Sequence, residues 1–260
     1  VRRPDALVAS MVSSPRAADV IKVSRVLRRS SAVTAAAFKA HWAADQAALM
    51  RNLARESTGV LRYAQSYPLP MATGFGDGAD DEIDCIDELW CESFDAAIAL
   101  FDSERYRSDL ARHEHTHVDQ AASEVVSGTV HRVLERKIQA GDSAVKMVLL
   151  AVRRPDFSAH QFRRYWLEVH SKLALGSPAV SQPQGGPRRI EFSAATGLGL
   201  GGVPASGRDG LVSIWFNRIE DMQLEFAGAY YREKLQPDEP RFSDRAKSRG
   251  VLAREVVVWD

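Results

Sequence analysis

The chain has 260 residues, 45% of them hydrophobic, with 34 Lys plus Arg balanced by 34 Asp plus Glu. That length suits two domains of roughly 120 residues, and the charge balance gives no pull toward nucleic acid or an anionic membrane surface. No apolar stretch approaches the ~20 residues that span a bilayer, and residues 1–20 lack the apolar core of a signal peptide, so a cytoplasmic chain with neither nucleic-acid nor membrane partners is expected.

In chain order, residues 1–19 read as a loose lead-in, with Pro4, Ser13, Ser14 and Pro15 breaking any periodicity. Residues 20–27 form an apolar strand. Thr34 caps a helix carrying Phe38, Trp42 and Leu49. Strands follow at 60–67 and 84–91. Ser93 caps a second helix with Ile98 and Phe101, and 129–134 closes the unit. Cys85 and Cys91 share one predicted strand, where six residues span about 20 Å, so they do not pair and are expected reduced and buried. The pattern then starts again. Residues 145–152 are apolar on both faces, and Arg153-Arg154-Pro155 stops them. Ser158 caps a helix with Phe162, Tyr165, Trp166, Val169 and Leu173 at helical spacing. Strands at 189–193 and 211–216 follow. Asn217 with Glu220 resembles a capping box for a helix bearing Met222 and Phe226, and 251–259 is a closing strand.

The two passes say nearly the same thing, segment by segment and in the same order. Phe38-Lys39-Ala40-His41-Trp42 returns as Phe162-Arg163-Arg164-Tyr165-Trp166, and the strand 84–90 returns as 209–215. A repeat this long is a whole folding unit, which places the units at 20–140 and 141–260. Each unit reads βαββαβ, the ferredoxin-like arrangement, giving an α+β class. Both helices cover one sheet face, and the other face is too apolar to meet water. The expectation is two tandem ferredoxin-like domains packed sheet to sheet as an intramolecular α+β barrel, with a cavity between them.

The strand ending Val152-Arg153-Arg154-Pro155, the helix 162–166 with His170 four residues on, Arg188-Arg189 and the 209–215 strand resemble an EthD-type domain of the dimeric α+β barrel group. The resemblance covers about residues 20–135 and 144–259. It implies that single-copy relatives dimerise to build the barrel and that here the partner is supplied in cis. It also implies a range of chemistries: isomerases of small lactones, polyketide cyclases and dehydratases, cofactor-free monooxygenases, and haem enzymes. His170 is the residue that the resemblance marks as functional.

Near neutral pH an imidazole at a cavity edge takes or gives a proton, so His170 is the first catalytic candidate, with Tyr165 or Tyr63 as hydrogen-bond donor to a developing oxyanion. The first copy has Gln46 where His170 stands and His41 where Tyr165 stands. His41 and Asp45 are four apart and can touch. Asp45 takes the place of Val169, expected to face inward, so the pair reads either as an oriented base or as a structural polar pair. Loss of His from the first copy implies that one site is degenerate. Trp90, Trp215, Trp166, Tyr63 and Phe192 are candidate walls for a flat apolar ligand; aromatics facing the helices instead would be plain core. His113, His115 and His117 alternate as zinc ligands can on a strand, but they align with a His-free segment at 237–244, and an exposed loop is the expected reading, with no metal. Asp84 and Asp209 read as turn residues. The glycine-rich segments 73–78 and 196–202 lack the Gly-Lys-Ser/Thr of a phosphate loop and read as mobile rim loops over the cavity.

The functional expectation is a cofactor-independent enzyme doing acid–base chemistry on a small hydrophobic oxygenated ring compound: dehydration, isomerisation, cyclisation or lyase cleavage. The alternatives are a non-catalytic small-molecule binder, and a monooxygenase or haem-binding barrel. Further pairing of the internal pseudo-dimer into a homodimer is also compatible with the sequence.

Overall fold

Alternation and β-branched content set eight strands: β1 (Ile21–Leu27), β2 (Val60–Pro68), β3 (Cys85–Cys91), β4 (Glu124–Glu135), β5 (Val145–Ala151), β6 (Pro187–Ala194), β7 (Gly210–Phe216) and β8 (Arg249–Trp259). These come from a computed structural model that describes residues 20–70, 83–138, 144–182 and 185–260; the lead-in 1–19 and the glycine-rich segment 73–78 lie outside the described residues. Within the first half the strands run β4-β1-β3-β2, and within the second β8-β5-β7-β6. The registers repeat: Leu27 faces Cys85 and Arg25 faces Asp87, as Ala151 faces Gly210 and Leu149 faces Val212. The two halves are therefore related position by position.

The expectation of two sheets packed face to face is overturned. β2 pairs with β8 and β4 with β6, all antiparallel, so the halves join edge to edge and the eight strands form one closed barrel. Closure satisfies the edge amides that two separate sheets would leave open. It also turns the unhelical faces inward around one lumen, where no greasy chamber exists. Lys22 reaches across to Ser213 at 3.0 Å and lies 2.5 Å from Glu88. Lys146 contacts Glu88 and lies 2.8 Å from Glu255. Trp90 donates to Glu191 at 3.2 Å and Trp215 to Glu255 at 3.1 Å. Lys22, Glu88 and Lys146 are at most 1% exposed. The middle of the barrel is a packed ionic layer, with Val26, Ile86, Val126, Val148, Leu150, Leu211 and Val251 forming an apolar layer beside it.

Helices cover the outside. Thr34, Ser93 and Ser158 cap as expected, Ser158 within a full capping box with Gln161. The helix Ile219–Ala227 starts from Arg218 with no side-chain cap, so the Asn217 capping box does not form. Two helices contain a wide π-type turn at the same place, Trp42–Gln46 and Trp166–His170. A π turn closes i→i+5 bonds and so shifts which side chains face inward relative to 3.6-residue spacing. Trp42 and Gln46 are consequently buried, while Val169 is 45% exposed and the Asp45 side chain 70% exposed, against the inward position expected for both. The segment 196–202 is not a free rim loop either: Leu200 is buried in the core of the first half. Among the described residues no helix is long and apolar enough to cross a membrane.

Candidate active site

A cavity of about 70 Å³ lies outside the barrel, between the sheet of the second half and its helices. Its floor is Met147, Leu149, Ile190, Phe192, Val212 and Ile214 from β5, β6 and β7. Its roof includes Trp166 and His170 from the π turn, Phe226 from the helix Ile219–Ala227, and Tyr231, Leu235 and Glu239 from the turns that follow. Gly210 opens β7 because any Cβ there would strike the Trp166 ring and sit 2.8 Å from the Ser193 carbonyl. The strand is thereby bare where the indole lies on it.

His170 Nδ1 is 2.9 Å from Asp238 Oδ2, and Tyr165 Oη donates to Asp238 Oδ1 at 2.7 Å. These two bonds hold the Asp238 carboxyl below the usual carboxylate range, although burial works against them. An ionised carboxylate only accepts, so Nδ1 carries a proton toward Asp238, and in the neutral ring this places the lone pair on Nε2. The next residue behaves oppositely. Burial pushes the Glu239 carboxyl up, and the Tyr231 hydroxyl at 2.7 Å and Arg245 at 2.8 Å offset it only in part. Burial likewise raises Glu225 at the rim. Two adjacent carboxyls driven apart in this way are a recurrent sign of divided acid and base roles.

The first half shows what the same site becomes when filled. Arg25 replaces Leu149, Asp87 replaces Val212, and Gln65 replaces Phe192, as the strand registers fix. Arg25 forms a two-pronged ion pair with Glu114, which also accepts from Gln46 at 2.7 Å and Tyr106 at 2.8 Å. Trp42 donates to Asp87 at 2.9 Å. In the second half Val212 stands where Asp87 would be, so the Trp166 N–H loses that acceptor.

The residues expected from sequence fall in three places. His170, Trp166 and Phe192 line the cavity, with Tyr165 beside it on Asp238. Trp90 and Trp215 lie in the barrel lumen against Lys22 and Lys146. Tyr63 is 1% exposed, accepts from Gln65 at 3.1 Å and belongs to the core of the first half. His41 and Asp45 do pair, at 3.0 Å, but on the outside of the first half, where the His41 ring stacks on His117 at 3.8 Å. His113, His115 and His117 sit on the helix Ala111–His117, and no group of three or more metal-ligating side chains occurs among the described residues. Asp238, Glu239 and Tyr231 are the site residues that sequence reasoning passed over. The signal was present: Tyr106 to Glu114 and Tyr231 to Glu239 share one spacing and the same hydrogen bond.

The family model of the EthD domain matches residues 30–121 and again 154–246. No curated protein matches the chain. Among solved structures, a candidate monooxygenase of Fusobacterium nucleatum superposes with TM-score 0.58 at 7% identity, covering 94% of this chain and 95% of that one. An anthrone oxidase-like protein gives 0.59 at 8%, over 92% and 93%. The chlorite dismutase of Candidatus Nitrospira defluvii, in complex with imidazole, gives 0.52 at 11%, over 91% and 92%. At such identities these likenesses show the shared fold. The family match covers most of the chain in two successive segments, and the chain belongs to the EthD family.

Proposed function

We propose that the chain is an enzyme that moves a proton on a small, flat, oxygenated hydrophobic compound held in the cavity of the second half. The observation that carries this reading is the His170–Asp238 pair on the wall of an apolar cavity. Asp238 fixes the tautomer, and Nε2 is the base. The Trp166 N–H is the group placed to answer charge that develops on a substrate oxygen, since the Tyr165 hydroxyl is already engaged with Asp238. The apolar walls keep that charge in low dielectric, where such donors act most strongly. Dehydration, isomerisation, cyclisation and retro-aldol cleavage all begin with this proton transfer.

A second reading adds oxygen. The structural likeness to proteins described as a monooxygenase and as anthrone oxidase-like favours it. The same base would generate an electron-rich enolate that passes its electrons to O2. A porphyrin does not fit this cavity, since about 70 Å³ is far below the ~300 Å³ at which sites for drug-sized ligands begin.

Turnover of a panel of monocyclic enols, phenols and lactones, with and without O2, tests both readings. His170→Asn is expected to lower kcat by about 10²–10⁴-fold. Undiminished turnover in that variant would overturn the acid–base assignment. Oxygen uptake coupled to substrate loss would select the second reading.

A further inference from the structure

In the first half the chain has filled its own pocket, and the filler is informative. Four groups around the Arg25 guanidinium, Glu114, Phe101, Tyr106 and Asp87, have counterparts around the open cavity. It pairs with Glu114, the counterpart of Glu239, and lies 5.4 Å over the ring of Phe101, the counterpart of Phe226. Tyr106 and Asp87, which also act on its charge, correspond to Tyr231 and Val212. Arg25 is 2% exposed and enters from the position that Leu149 holds in the second half. The guanidinium therefore occupies the volume that stands open beside Leu149. A guanidinium is planar, stacks on an aromatic face and only donates hydrogen bonds.

We infer that the ligand of the second-half cavity is a planar ring lying on Phe226 with a hydrogen-bond donor, a phenolic or enolic hydroxyl, directed at Glu239, in the pose that the Arg25 guanidinium adopts against Phe101 and Glu114. The inference rests on the proposed function only for the choice of cavity, and it narrows the substrate class from oxygenated to hydroxyl-bearing. The two ends of the ring are then distinguished. The donor faces Glu239, and the reacting side faces His170. Leu149 decides occupancy, because a longer cationic side chain there would reproduce the filled state.

The test uses 4-fluorophenol and 4-fluorotoluene, two rings of one shape differing in the donor, titrated into the full chain and read by 19F NMR. The phenol is expected to bind about five- to tenfold more tightly, the worth of about one hydrogen bond. Leu149→Arg is expected to abolish binding of both probes. Arg25→Leu with Asp87→Val, which carves the second-half lining into the first half, is expected to raise the phenol stoichiometry from one to two. Equal affinity for the two probes, or no binding of either, overturns the donor assignment. Unchanged binding in Leu149→Arg overturns the placement, and if the double variant does not fold, the wild-type and Leu149→Arg titrations still decide. Probe binding is independent of turnover, so a failed His170→Asn prediction and a failed ligand inference are separable.

Discussion

Asp238 accepts two hydrogen bonds at once, one on each carboxylate oxygen, from Tyr165 and His170. It is not part of the cavity lining, and in the proposed reaction it acts through the imidazole as a positioning residue. Asp238→Asn keeps the shape but gives the ring an amide that can donate to Nδ1, which frees the wrong tautomer. We expect kcat to fall about 10²-fold with KM nearly unchanged, and a shifted acid limb in the pH profile; a purely structural role would leave that limb in place. His170 was legible in the sequence because a repeated helix, Phe-x-x-Tyr-Trp, announces the face it sits on. Asp238 was not, because it lies in a segment with no periodicity, and a carboxylate in a loop reads as solvated until the chain is folded. Its counterpart in the first half is His113, so even the repeat gave no carboxylate to match.

At the scale of elements, the π turns decide which residues meet. Because Trp166–His170 is wound wide, Trp166 and His170 share the cavity face and Val169 is turned to solvent. Sequence spacing assumes 3.6 residues per turn, which put Val169 and Asp45 on the wrong side. The indole then depends on the bare backbone at Gly210. Gly210→Ala is expected to cost about 1–3 kcal/mol, from overpacking against Trp166, and to reduce probe binding at the cavity in parallel. A urea titration alongside the 19F measurement checks both. Existence and type of the strands were readable, since alternation and apolar runs survive folding unchanged. How the sheets meet was not, because face packing and edge closure bury the same residues. The contrary signal was Lys22 and Lys146 at matching positions inside apolar strands, charges that a greasy chamber could not hold.

On the scale of the whole molecule, the ionic layer in the lumen couples stability to pH. Burial pulls the Lys146 ammonium down to about 7 and that of Lys22 to about 8, with Glu255 and Glu191 opposing the shift only in part. The folded chain thus releases these protons first. Between pH ~7 and ~10.5 the unfolded chain holds more protons, so stability rises with pH across that window, and the slope from these groups vanishes below it, where both states are protonated. Urea midpoints at pH 7 and 9 should show the increase. Lys146→Met should reduce it, Lys22 keeping its own share, and, by leaving Glu88 and Glu255 without that partner, cost about 3–5 kcal/mol.

Joining both halves in one polypeptide has a consequence for what mutation can reach. In a symmetric assembly of identical subunits, every substitution is written twice, so an arginine that stoppers one cleft stoppers all of them. Here Arg25 could plug one side while Leu149 left the other vacant. Covalent fusion released the duplicated pockets from each other, letting one become scaffold while its twin stayed open.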